Sequence, residues 1–131
     1  MIYVVIDTNV VVSAFLTKNS GAATVKILDA IYNKSIVPLY HDEIYEEYKD
    51  VLNRERFHFS KSIVNEFLKT YKNISVKAER VFSGESFIDP DDVVFYEVAL
   101  SKNNTYLVTG NTKHFPRSPI VVTHAELMEL I

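Results

Sequence analysis

Hydrophobic positions fall in short blocks whose period changes along the chain. Residues 2–6 (IYVVI) form a continuous apolar run, the pattern of a short strand buried on both faces. Residues 21–33 (GAATVKILDAIYN) follow Asn19 and Ser20, good capping residues, and place Val25, Leu28 and Tyr32 on one helical face. Residues 36–40 (IVPLY) read as a second strand, with Pro38 arguing for an edge position or an irregular pairing. A helix over 42–53 and another from Ser60 to about 72, with Ile63, Phe67 and Tyr71 at helical spacing, come next. Asp89-Pro90 opens a helix reaching about 103. A strand at 105–109 (TYLVT), a loop, a strand at 119–122 (PIVV) and a short last helix complete the order. Thr123 and Glu126 have the T-x-x-E spacing of a capping box at the start of that helix. Strands alternating with helices predict an α/β fold, a three-layer α/β/α sandwich around a mostly parallel central sheet.

One residue breaks the pattern. In "IDTNVVVSAF" (6–15), Asp7 interrupts an apolar run that Val10, Val11 and Val12 resume as they return the chain to the core. Burying an unpaired carboxylate costs about several kcal/mol, so Asp7 needs a compensating partner or a task.

Composition narrows the setting. A chain of 131 residues, 47% apolar and 12% aromatic, suits one globular domain with a real core. No apolar run is long enough to span a bilayer, and the N-terminus lacks the charged region and cleavage site of a signal peptide. The absence of cysteine removes disulfides, thiolate catalysis and zinc–thiolate sites, and a reducing cytoplasm is the simplest compartment. A net charge of −3 gives no global basic footprint, so a nucleic-acid substrate would require a local basic patch or bound metal ions. The eight tyrosines carry no readable signal.

The acids are placed by the elements that carry them. In open α/β sheets, ligands bind beyond the carboxyl ends of the strands. Asp7 lies just past the first strand, and Thr109-Gly110-Asn111 just past the strand at 105–109. Around the 42–53 helix, Ile44, Tyr48, Val51 and Leu52 form the apolar arc; Glu47 falls at its rim and Glu46 points away. In "DPDDVVFYEVAL" (89–100), acids at the first turn favour the helix dipole and need no catalytic explanation. Asp92 nevertheless heads the row Phe95, Tyr96 and Ala99 and turns inward, whereas Asp91 does not. Asp7, Glu47 and Asp92 are therefore expected to converge on one strand-end site. Clustered carboxylates repel unless a cation neutralises them, and an all-oxygen set suits Mg²⁺ or Mn²⁺. Metal-assisted hydrolysis of a phosphodiester follows as the expected chemistry.

"IDTNVVVSAF", "EEYKDVL", "DPDDVVFYEVAL" and "YLVTGNTKHFP", in that order, resemble a PIN domain over essentially the whole chain. The similarity is to its bacterial and archaeal branch of toxins from toxin–antitoxin pairs. It implies Mg²⁺- or Mn²⁺-dependent cleavage of RNA, an antitoxin partner and, by analogy, a homodimer. Asp7, Glu47 and Asp92 match the family's acidic metal-site positions. Ser13 and Thr109 match its supporting hydroxyls, and Asn9 the asparagine that braces the first acid. Where many relatives carry a fourth acid, this chain has Asn111, whose amide can hold a metal or a water but brings no charge. It implies a weaker second-metal site.

Lys113, His114 and Arg117 form a small basic cluster beside that site, suited to an RNA backbone or to ordinary solvation. "NRERFHF" (53–59) can stack on RNA or pack its phenylalanines between helices. The histidines lack metal-ligand spacing. A phosphoacceptor receiver domain would need an acceptor aspartate after a central strand and a later strand-end lysine, and haloacid-type phosphatases need D-x-D where this chain has D-T-N. The competing reading from another class is a PIN-fold module that binds RNA or a partner and has lost catalysis.

Overall fold

The computed structural model describes residues 1–131. Five strands form a single all-parallel sheet in the order β3-β2-β1-β4-β5. The strands are β1 (Tyr3–Ile6), β2 (Val37–Tyr40), β3 (Val76–Lys77), β4 (Thr105–Val108) and β5 (Val121–Val122). Six helices join or follow them: α1 (Thr8–Leu16), α2 (Ala23–Tyr32), α3 (Asp42–Leu52), α4 (Lys61–Ile74), α5 (Val93–Leu100) and α6 (His124–Leu130). From β1 to β3 each crossover steps one way across the sheet, and α5 carries the chain back past β2 and β1 to β4. Right-handed crossovers running in opposite directions put their helices on opposite faces. Val4, Val5 and Ile6, consecutive and all buried, register that double covering.

The apolar pattern located most elements, and the departures have physical causes. Residues 8–16 form helix α1, although a run of three valines favours a strand. Val10 and Val11 are buried there, and tertiary burial overrides a weak propensity. On α2 the buried face is Thr24, Ile27, Leu28 and Ile31, with Tyr32 exposed; the helix begins at Ala23, and Asn19 instead accepts a hydrogen bond from the Gly21 N–H in the preceding turn. On α4, Val64 takes the inward place expected of Ile63, which is exposed. Pro38 lies on an interior strand. The N–H of Val37 points to β1, so the donor that Pro38 lacks falls on the β3 side, where the ladder begins only at Leu39–Val76. In the 53–59 segment, Phe57 stacks on Phe59 and Phe59 packs on Phe15, so packing accounts for these rings. The capping box at Thr123 and Glu126 forms as expected.

The ladder between β1 and β2 stops at Val4–Pro38. Beyond it, the Ile6 and Leu39 carbonyls face the seam between the strands with no ladder partner. Two buried tyrosines supply the donors: the Tyr48 hydroxyl binds the Ile6 carbonyl, and the Tyr71 hydroxyl binds the Leu39 carbonyl at 2.7 Å. Their rings meet edge to face at 5.2 Å. The tyrosines thus finish the carboxyl edge of the sheet.

The segment between β3 and α5 is held by one buried acid, Glu97 on α5. It accepts from the Ser83 N–H at 2.9 Å and from the Arg80 guanidinium at 2.8 and 3.1 Å, while Arg80 also reaches Glu43. The Ser83 N–H, and after it Arg80, hold the Glu97 carboxyl below the ordinary carboxylate range against the opposing effect of burial. A depressed carboxylate stabilises the fold above its unfolded pKa and loses that contribution as pH falls through the folded value. Glu97→Gln should cost about 1–3 kcal/mol in denaturant unfolding at pH 7. It should also flatten the acid-side loss of stability and speed proteolysis within 78–88. Unchanged unfolding and cleavage would show that Glu97 does not anchor the segment.

Candidate active site

The chain leaves β1 directly into α1, and Asp7 is the junction. Its N–H still pairs with the Val108 carbonyl of β4 at 2.8 Å, and its carbonyl accepts from Val10 in the first turn of α1. The side chain is therefore fixed at the β1/β4 strand ends, where the crossovers reverse direction and a crevice opens. Thr109, the residue after β4, donates from its hydroxyl to Asp7 Oδ2 at 2.7 Å. That threonine is wholly buried and is itself oriented by the Asn111 N–H at 3.0 Å.

Glu47 approaches from α3 on the Thr8 side of Asp7. It is half-buried, with Glu46 turned to solvent, and it accepts a hydrogen bond from the Thr8 hydroxyl. Asp92 arrives from a third direction. Asp89 caps the 3-10 turn Pro90–Asp92 by accepting from the Asp91 N–H at 2.9 Å, and Asp92 stands where this turn passes into α5. Its carboxylate faces His114, with Nδ1 3.5 Å from Oδ2, too long for a well-formed hydrogen bond. Asp92 Oδ2 is buried with no hydrogen-bond partner.

The three acids sense one another. Burial raises the Asp7 carboxyl above its ordinary range, opposed chiefly by the Thr109 hydrogen bond. Burial also raises Glu47, against the pull of Thr8 and with added repulsion from Asp7, Asp91 and Asp92. Asp92 is pushed up to about 6 by burial and then by the charges of Asp7 and Asp89, with His114 opposing. Such a set favours a bound cation or proton.

The remaining candidates sit around this group. Asn9 is exposed and its Oδ1 lies 3.4 Å from the Gly110 N–H, so it links the β1 and β4 ends without touching Asp7. Ser13 is exposed on α1, and Asn111 is exposed with its amide turned to no hydrogen-bond partner. Lys113 and Arg117 line a separate pocket of about 550 Å³ with Phe115 and Glu126, whereas His114 turns to Asp92. On the other side, an open cleft of about 320 Å³ runs between Glu47 and Asp91 and is bordered by Glu43, Arg54 and Arg80. Thr8 and Tyr48 escaped sequence reasoning. Thr8 is the middle residue of D-T-N, and Tyr48 is consecutive with Glu47, but neither spacing reveals a hydroxyl contact. A concavity of about 570 Å³ lies away from the acids and is mostly apolar, lined by Phe15, Leu28, Tyr32, Ile63 and Phe67 among others.

A family model described as PIN domain matches residues 3–113, from the start of β1 past the Thr109 strand end. The chain belongs to the PIN domain family. No curated protein and no solved structure gives a significant match. PIN domains are generally metal-dependent nucleases, and the residues present fit a hard divalent ion. The donors are all oxygen, their charges need neutralising, and Asp92 Oδ2 is buried without a donor. No three acidic or histidine side chains stand close enough to make a ready cage. Mutual repulsion of carboxylates opposes such a cage until a cation offsets it.

A carboxyl raised by folding makes the folded state bind protons more tightly than the unfolded chain. Metal-free protein should therefore become more stable as pH falls from 7 through about 6 towards the ordinary carboxylate range. Asp92→Asn should stabilise it at pH 7 by roughly 0.5–2 kcal/mol and reduce that pH dependence. Thermal unfolding at pH 5 and 7 checks this, and a destabilised Asp92→Asn would refute the repulsion described here.

Proposed function

We propose that the chain is a divalent-cation-dependent endoribonuclease that hydrolyses RNA phosphodiester bonds with Mg²⁺ or Mn²⁺. The observation that supports this reading is the electrostatic coupling of Asp7, Glu47 and Asp92, which come from the end of β1, from α3 and from the start of α5, the charge of Asp7 helping to raise the other two carboxyls. Asp7 and Asp92 would hold the cation, with Glu47 completing the set. When bound, the ion supplies Lewis-acid polarisation of a phosphoryl oxygen and lowers the pKa of a coordinated water. The chain's own residues do the rest. Thr109 fixes the Asp7 carboxylate by donating to Oδ2, so the carboxylate presents its other oxygen to the crevice. Asp92, brought in by the turn that Asp89 caps, keeps its carboxylate free of capping duty and beside His114. Asn111 offers an uncharged amide where an acid would strengthen a second-ion site.

Lys113 and Arg117 line a pocket on the loop that carries His114, the neighbour of Asp92, and are proposed to contact the RNA backbone. The toxin role in a toxin–antitoxin pair is part of the proposal. Its support is the motif resemblance together with the apolar groove of α1, α2 and α4, where Tyr32 and Ile63 are 45% and 59% exposed. An antitoxin of the amphipathic-helix kind, or a second copy, would suit that groove. A cytoplasmic site of action goes with this reading; no helix is long and apolar enough to cross a membrane.

Cleavage of a mixed RNA pool with Mn²⁺ or Mg²⁺, and its loss on chelation, is the direct test. Asp7→Asn should lower the cleavage rate by on the order of 100-fold or more while leaving the fold intact. A wild-type chain that cuts no RNA with either ion would favour the non-catalytic binding module. Lys113→Ala and Arg117→Ala should weaken RNA binding uniformly across sequences, each reducing the salt slope by about one unit or less. A change confined to particular sequences would place these residues against bases instead.

A further inference from the structure

Helix α3 grips the chain on both sides of Asp7. From consecutive positions, the Glu47 carboxylate takes the Thr8 hydroxyl and the Tyr48 hydroxyl binds the Ile6 carbonyl. The strand ladder cannot replace the second contact. Asp7 N–H points to β4, so Ile6 faces β2, and the β1–β2 ladder has already ended at Val4–Pro38. Tyr48 is fully buried, packed against Tyr71, Phe67 and Phe95, so its hydroxyl has little freedom to go elsewhere.

We propose that Tyr48 is a positioning residue for the divalent-ion site, tying the Asp7 backbone to the helix that delivers Glu47. This assignment rests on the metal-dependent reading above and extends it to a residue that touches neither ion nor RNA. The two carboxylates come from elements far apart in sequence, and their separation is set by whatever fixes α3 to the end of β1. Two hydrogen bonds flanking Asp7 do so, with the Thr109 bond holding the carboxylate from the β4 side. The Ile6 carbonyl and the Asp7 N–H share one peptide plane, so Tyr48 and the Val108 carbonyl pin that plane from opposite sides.

The fold contains its own control. Tyr71 caps the Leu39 carbonyl of β2 in the same seam, from α4, and its neighbours in sequence are not site acids. Tyr48→Phe and Tyr71→Phe each remove one buried hydroxyl from one strand-end carbonyl and keep the ring. Both should lower Tm to a similar extent. Only Tyr48→Phe should move the ion site.

The experiment is a Mn²⁺ titration of the full chain by isothermal calorimetry and by thermal shift, with Mn²⁺ alone as ligand. Half-saturation should rise about 3–10-fold in Tyr48→Phe and stay within about twofold of wild type in Tyr71→Phe. If Tyr48→Phe does not fold, Thr8→Val, which cuts the other arm of the grip, should give the same rise. An unchanged midpoint in Tyr48→Phe, or an equal rise in Tyr71→Phe, overturns the assignment while leaving the nuclease reading intact. A wild-type chain with no saturable Mn²⁺ response instead removes the metal reading, and this assignment with it.

Discussion

A carboxylate held at the end of a buried strand is the constraint around which this structure is organised. Asp7 is 7% exposed, so its charge is poorly solvated, and its backbone belongs at once to the β1–β4 ladder and the first turn of α1. Its backbone is thereby fixed, and the side chain can turn away only by giving up the Thr109 hydrogen bond. The chain meets the cost chiefly with the Thr109 hydroxyl, helped by the backbone amides at the start of α1. These offset only part of the burial, and the Asp7 carboxyl remains above its ordinary range. A cation shared with Asp92 and Glu47 would offset the remainder.

That constraint explains why the acids are spread over three elements. Neighbouring acids on one helix would point in different directions, as Glu46 and Glu47 do. Convergence needs elements that approach from separate sides, and a parallel sheet provides them at its carboxyl edge. The cost is electrostatic, and rigid neighbours must bear it. The Thr8 bond holds Glu47, the capped turn begun by Asp89 holds Asp92, and the tyrosine pair closes the seam between β1 and β2. A site of this kind trades stability for readiness to bind a cation.

Much of this was legible in the sequence because it depends on period and strand ends. The position of Asp7 follows from where the apolar run stops. The inward turn of Glu47 and Asp92 follows from 100° steps along amphipathic helices, and Thr109 from the end of its strand. What was illegible depends on tertiary partners. The run Val10–Val12 gives no sign of helix, because only burial against the core decides it. In α5, residues 94–99 are all buried, so periodicity assigns no side to Glu97 and its role appears only once Arg80 and Ser83 are placed. Thr8 and Tyr48 act through hydroxyls, and in sequence a buried tyrosine resembles any other aromatic core residue.

The two acids at the ends of the "DPDD" turn separate structure from chemistry. Asp89 is exposed, and its side chain is occupied in capping the Asp91 N–H. Asp92, three residues on, makes no cap bond, has one buried oxygen without a donor, and is raised to about 6. If helix capping alone explained the cluster, Asp92 would be the residue with a hydrogen bond and a low pKa. It has neither. The fold satisfies the helix start with Asp89 and leaves Asp92 unsatisfied, facing Asp7 across the crevice. An unsatisfied, destabilising carboxylate at the one place where the crossovers change direction across the parallel sheet would be explained by a ligand that needs it, and not by the stability of α5.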